Sequence, residues 1–186
     1  LTLSKRLFEA CTANRERAAA KLQIADIEEK RGEAASLARA LSEAVAYEGA
    51  DGMAITRYIE LIVKKSPQAT WVDLLGALGL FIEQSEASPD AVSAAHRKVA
   101  EIFVGQLRRP DEAINSLRRA LEKRANDVSS RLALSRLLRT EGEPSQAVEE
   151  LRRLLTDDVT YPDAWREMGK SLDAMGEEAE ASAAVQ

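Results

Sequence analysis

Apolar residues recur at three- and four-residue intervals along most of this chain. Trp71, Leu74, Leu75, Leu78, Phe81 and Ile82 form one such stripe, Ile114, Leu117 and Leu121 another, and Val148, Leu151, Leu154 and Leu155 a third. That spacing places the side chains on one face of a helix, where they can meet a core. No run alternates apolar and polar positions for more than a few residues, so strands are not expected. Breakers separate the stripes: Asn14, Gly32, the "EGADG" cluster at 48–52, Ser66-Pro67, Ser88-Pro89, Arg109-Pro110, Asn126-Asp127, Gly142–Pro144, Tyr161-Pro162 and Gly176. They predict an all-α chain of about 10–11 helices, each roughly 12–19 residues long. Pro89 and Pro162 suit the first turn of a helix, where a missing N–H costs nothing, and Ser88 is placed to cap the one that follows.

The pattern also repeats along the chain. "PDEAINSLRRALEK" begins at Pro110 and "PSQAVEELRRLLTD" at Pro144, thirty-four residues later. At the same interval Leu134 falls on Met168, Ser135 on Gly169, Leu138 on Leu172 and Gly142 on Gly176. Ala113 falls on Ala147 and Ala181, and Leu117 on Leu151 and Val185. Small residues let two helices approach closely, and large ones fill the grooves between them. A single helical pair buries too little apolar surface to offset the cost of ordering it, so such units must stack.

The motif L-[GS]-x-x-L-x-x-x-G-x-x-x-x-A-x-x-x-[LV] resembles the tetratricopeptide repeat, whose period is also thirty-four. The resemblance is clearest over residues 94–186 and degenerate over 15–93, where Ala25, Gly32, Leu37 and Leu41 trace a fainter copy. Trp165 stands where the family often carries tryptophan. Two positions depart from the pattern: Glu101 stands where Ser135 and Gly169 stand, and Leu37 where Ala113 stands. The resemblance implies an α-solenoid, a right-handed superhelix of stacked antiparallel hairpins. The expected divisions are a closing helix of a preceding repeat at 1–14, repeats at 15–50, 51–87, 88–126 and 127–160, and a truncated repeat at 161–186. Both ends thus read as cut within a repeat, as in an excerpt from a longer array.

The resemblance further implies that inward-facing residues of each first helix hold a partner. By register these are Lys98, Ile102, Leu132, Arg136, Arg139, Arg166 and Lys170. Five of these seven are basic, and arginine suits carboxylates. The expected partner is an acidic segment of another protein. The family's chaperone-tail binders clamp a terminal carboxylate with asparagines. Ile102, Arg136 and Lys170 stand in those places here, so that activity is not expected.

Charge distribution adds two alternatives. The net charge of −5 conceals a basic middle: residues 93–140 carry 11 basic and five acidic side chains, whereas 141–186 carry four and 12. Arg108, Arg109, Arg118, Arg119, Lys123 and Arg124 could meet nucleic acid phosphates, although no aromatics accompany them for base stacking. Alternatively, the basic middle of one copy could meet the acidic end of another in self-association.

The remaining candidates for chemistry are sparse. Of 186 residues 31% are charged, and "LLGALGLFI" from Leu74 is the longest uncharged stretch, about half of what a bilayer span requires. One cysteine, Cys11, excludes an internal disulfide, and one histidine, His96, offers no familiar zinc spacing. Cys11 reads as a packing residue and His96 as a solvated or half-buried imidazole. The Glu-Glu pairs at 28–29, 149–150 and 177–178 read as solvated faces, and "GALG" at 76–79 as close packing within a helix. Neither a catalytic constellation nor a cofactor is expected. A reducing, cytoplasmic setting follows from the cysteine count, and the Ala-, Arg- and Leu-rich composition suggests a bacterial source. Val72 and Leu80, off the main stripe of their helix, are expected to lie under the extra residues nearby.

Overall fold

The computed structural model describes residues 3–64, 69–84, 87–157 and 159–184, with side chains at all of these except 3–12, 157 and 177–184. Every regular element among the described residues is helical. In order these are α1 (Leu3–Arg31), α2 (Ala34–Glu48), α3 (Met53–Val63), α4 (Trp71–Ile82), α5 (Pro89–Ile102), α6 (Pro110–Lys123), α7 (Val128–Thr140), α8 (Pro144–Asp157) and α9 (Pro162–Ala184). A short 3-10 turn, Gly49–Asp51, follows α2, and a π-turn, Phe103–Leu107, follows α5. Two expected breakers, Ser88 and Asp127, supply helix starts, and Thr70, not among them, supplies another. Each accepts a hydrogen bond from the backbone N–H three residues on, satisfying a donor that the helix leaves open.

Among the described residues nine helices stand where about ten or eleven are predicted, because two breakers do not break. Asn14 lies inside the unbroken α1, and its Nδ2 donates to Gln84 Oε1 at 3.0 Å. An asparagine within a helix costs a fraction of a kilocalorie, well below what long-range packing recovers. Gly176 lies inside α9. Unlike Gly32 and Gly142, at φ +75° and +81°, it does not take a positive φ. Pro144 follows Gly142 by two residues, but Glu178 holds that place after Gly176, so nothing forbids the helix to continue. Among the described residues, α1 and α9 each run on as one helix where a break was expected. The side chain of Cys11, the Ser66-Pro67 turn, and the Ala181 and Val185 side chains lie outside the described residues.

Helices α1 and α2, α5 and α6, and α7 and α8 pair as hairpins, and α9 packs on α8 and α7. The second repeat is irregular: α3 and α4 each pack on α2 and barely touch one another. The hairpin turns explain the register slip seen at Glu101. In the first and fourth hairpins the N–H after the left-handed glycine reaches back five residues, Glu33 to Glu28 at 3.0 Å and Glu143 to Leu138 at 2.8 Å. In the third, Arg108 takes the left-handed conformation at φ 56°, and the next N–H, that of Arg109, reaches back six residues to Phe103 at 2.9 Å. The π-turn holds one inserted residue. Upstream of it the repeat interval is thirty-five, so the buried Ala100 matches the buried Ser135, and exposed Glu101 is not in the small-residue position at all.

Three apolar clusters run along the stack. The first spans α1 to α5 around Leu41, Tyr58, Leu74 and Leu78; the second joins α5 to α8 through Ile114, Leu117, Leu134 and Leu138; the third joins α7 to α9 through Leu151, Leu154 and Met168. Val72 and Leu80 are not covered by other described residues, remaining 67% and 60% exposed on the outer face of α4. His96 is buried between α5 and α6 rather than solvated.

Candidate functional site

The first helices α5, α7 and α9 lie side by side, and two different arrangements fill the spaces between them. Between α7 and α9 the dominant group is one the sequence did not flag. Glu167 follows the small-residue line Ala164–Glu167–Ser171, which turns toward α7, and is only 5% exposed. Its carboxylate meets Lys170 Nζ at 3.1 Å, Arg136 Nε at 3.3 Å and an Arg139 terminal nitrogen at 3.6 Å. Burial pushes the Glu167 carboxyl up, but the hydrogen bond from Lys170 and the charges of Lys170, Arg136 and Arg139 outweigh it, holding the group below its ordinary value. Three cations surround one carboxylate. The Arg136 and Lys170 side chains remain 49% and 50% exposed, so positive charge is left facing solvent.

Between α5 and α7 the space is open. A groove of about 630 Å³ there is lined by the apolar side chains of Ala100, Val104, Leu117, Ala133 and Leu137. Arg97, Glu101 and Arg136 stand at its margin. One end is closed by a polar pin. Asp127, the cap of α7, accepts from Ser93 Oγ and Ser130 Oγ, both at 2.7 Å, and from Arg97 Nη1 at 2.9 Å. Burial raises the Asp127 carboxyl, yet these hydrogen bonds and the Arg97 charge bring it below its usual value.

Of the seven positions expected to face a partner, Arg136, Arg139 and Lys170 converge on Glu167. Lys98 pairs with Glu101 at 2.6 Å and Arg166 with Asp163 at 2.7 Å, each within its own helix. Ile102 and Leu132 must be corrected. They are 3% and 8% exposed and belong to the first and third apolar clusters. Ile102 is misplaced by the residue inserted at the π-turn. Leu132 lies on the flank of α7 that meets α8 and α9. Arg97 and Val104 were missed for the same reason. Glu167 was missed as well; its one signal is its place between Ala164 and Ser171, two small buried residues on the same face of α9.

Three of the six basic residues considered for nucleic acid are engaged. Arg109 pairs with Glu112 and lies 5.6 Å from the Phe103 ring centre, Arg124 meets Asp90 at 3.2 Å, and Arg118 donates to Gln146 at 3.1 Å. Trp165 is exposed, with Nε1 donating to the Val159 carbonyl at 2.8 Å. Among the described residues no helix is long and apolar enough to cross a membrane.

Residues 106–166 match the tetratricopeptide repeat family. No curated protein matches the sequence. Among solved structures, MamA protein is similar at a TM-score of 0.55 and 16% identity, over 90% of this chain and 87% of that one. YrrB, described as a TPR protein with an unusual peptide-binding site, is similar at a TM-score of 0.53 and 18% identity, over 91% of this chain and 84% of its own. At such identities the likeness is one of fold. This chain is thus an α-solenoid, of which residues 106–166 match the tetratricopeptide repeat.

Proposed function

We propose that the chain is a non-catalytic protein-interaction scaffold whose α5–α7–α9 face holds an acidic segment of a partner protein. One observation carries this reading: three cations share the single carboxylate of Glu167, and two of them stay half exposed, one of which, Arg136, also lines the open groove. Arginine at such a margin can take a carboxylate through two parallel N–H donors. Peptide binding is described for YrrB on the same fold, although a fold by itself does not determine its ligand. The adjoining apolar floor suits protein better than nucleic acid, whose phosphates need charge along their length.

Isothermal titration calorimetry with Asp- and Glu-rich peptides tests the reading. Binding should weaken steeply with added salt and be lost in the Arg136→Glu, Lys170→Glu double variant. Absence of binding, or affinity unchanged in that variant, removes the proposal.

A further inference from the structure

The repeat supplies an internal comparison between the two spaces. Ala133 on α7 and Glu167 on α9 stand thirty-four residues apart, in the same register. At the α7–α9 position the Glu167 side chain crosses toward the preceding first helix and meets Arg136 and Arg139 there. At the α5–α7 position the alanine stops short. On the opposite wall the residue in register with Arg139 is Val104, thirty-five residues earlier across the π-turn, so a short apolar side chain stands there where the next repeat has a long charged one. The molecule fills one space from within and leaves its repeat-mate open.

The chemistry of the open space differs from that of the filled one. Ala100, Val104, Leu117, Ala133 and Leu137 give it an apolar floor, while Arg97 and Arg136 against Glu101 leave its margin with net positive charge. A carboxylate would gain little on that floor, whereas a hydrocarbon side chain would bury apolar surface there. We propose that the α5–α7 groove is an anchor pocket for one bulky aliphatic or aromatic side chain of the partner segment, with carboxylates on either side of that residue held at the arginine margin.

The proposal rests on the acidic-segment reading and specifies the ligand more closely. It is tested with unlabelled Asp- and Glu-rich peptides whose central residue is Ala, Leu or Phe, titrated by calorimetry against the whole chain. Leu and Phe should bind about tenfold more tightly than Ala, the worth of one well-buried side chain. Ala133→Glu, which copies the filled space, should abolish that gain. Gly105→Leu should do the same from the exposed edge, where an added Cβ meets no atom within 4 Å, and it guards against misfolding of the first variant. Equal, salt-sensitive affinity for all three peptides overturns the anchor and leaves the acidic reading standing. A gain that survives both substitutions also overturns it. Matched peptides with Asn and Gln flanks separate the two ideas: if they bind as well as the acidic ones and keep the Leu gain, the anchor stands and the acidic reading falls. If no peptide binds, both fall.

Discussion

Ser93 Oγ donates to the buried carboxylate of Asp127 at 2.7 Å, joining α5 to the first turn of α7. The same carboxylate caps α7 through Ser130 N–H and takes Arg97 at 2.9 Å. One side chain thus fixes both where a helix begins and how two successive hairpins are set against each other. Asp127→Ala should cost about 2–3 kcal/mol, since it removes a cap and strands the hydroxyl of Ser93. Asp127→Asn, which keeps the cap oxygen, should cost about half as much. Urea unfolding followed by circular dichroism measures both.

Acid should weaken the fold in two stages. Burial, then the charges of Arg119 and Lys123, lower the His96 imidazole below its ordinary 6.5, with Glu122 opposing them. In the window from 6.5 down to the folded-state value, the unfolded chain binds the proton more readily, so stability falls as pH falls. Glu167 and Asp127, held below 4.5 and 3.8 in the fold, add a second loss that begins as pH falls through those values and ends at their folded-state values, again because the unfolded chain protonates first. Urea midpoints measured from pH 7.5 to 3 should show both steps. His96→Gln should flatten the upper step, and Asp127→Asn should shrink the lower one to the part that Glu167 contributes.

Removing Glu167 should trade stability for binding. Glu167→Ala leaves Arg139, whose Nε is already buried without a hydrogen-bond partner among the described residues, facing no counter-charge. The expected loss is about 2 kcal/mol, tempered by the half-exposure of Arg136 and Lys170. The freed cations should tighten the binding of acidic peptides several-fold, and calorimetry on the variant reads this directly. Unchanged affinity would mean that these cations are not the recognition surface.

The left-handed turns offer a reciprocal pair of substitutions. Arg108 holds φ 56° where Gly142 holds +81° in the next hairpin. A side chain in that conformation costs roughly 1–2 kcal/mol, partly offset by the greater freedom of glycine in the unfolded chain. Arg108→Gly should therefore stabilise by about 0.5–1 kcal/mol and Gly142→Ala destabilise by about 1 kcal/mol. Differential scanning calorimetry would show midpoints moving in opposite directions.

The helical fold was legible because its signal is redundant: the stripes of α4, α6 and α8 each announce a buried face, and the interval of thirty-four ties the last hairpins together. Punctuation proved less dependable. Gly32 and Gly142 end helices because the backbone there turns left-handed, whereas Gly176 has the same identity without that turn. The candidate site was harder to read, since a face advances by about 100° per residue, and one inserted residue at the π-turn was enough to send Ile102 inward and hide Arg97. Glu167 was obscured by composition: amid so many acidic side chains in 141–186, a single buried one does not stand out. The double occupation of α2 by α3 and α4 left no trace in the pattern, which records which face is apolar and not which neighbour covers it.

The three separate apolar clusters leave this molecule with no keystone. Damage to Leu151 or Met168 loosens the far end of the stack while Tyr58 and Leu74 remain gripped by their own neighbours, so the chain should come apart in sections, like a zip opened from one end, and a protease would meet partly dismantled forms well before a wholly loose one.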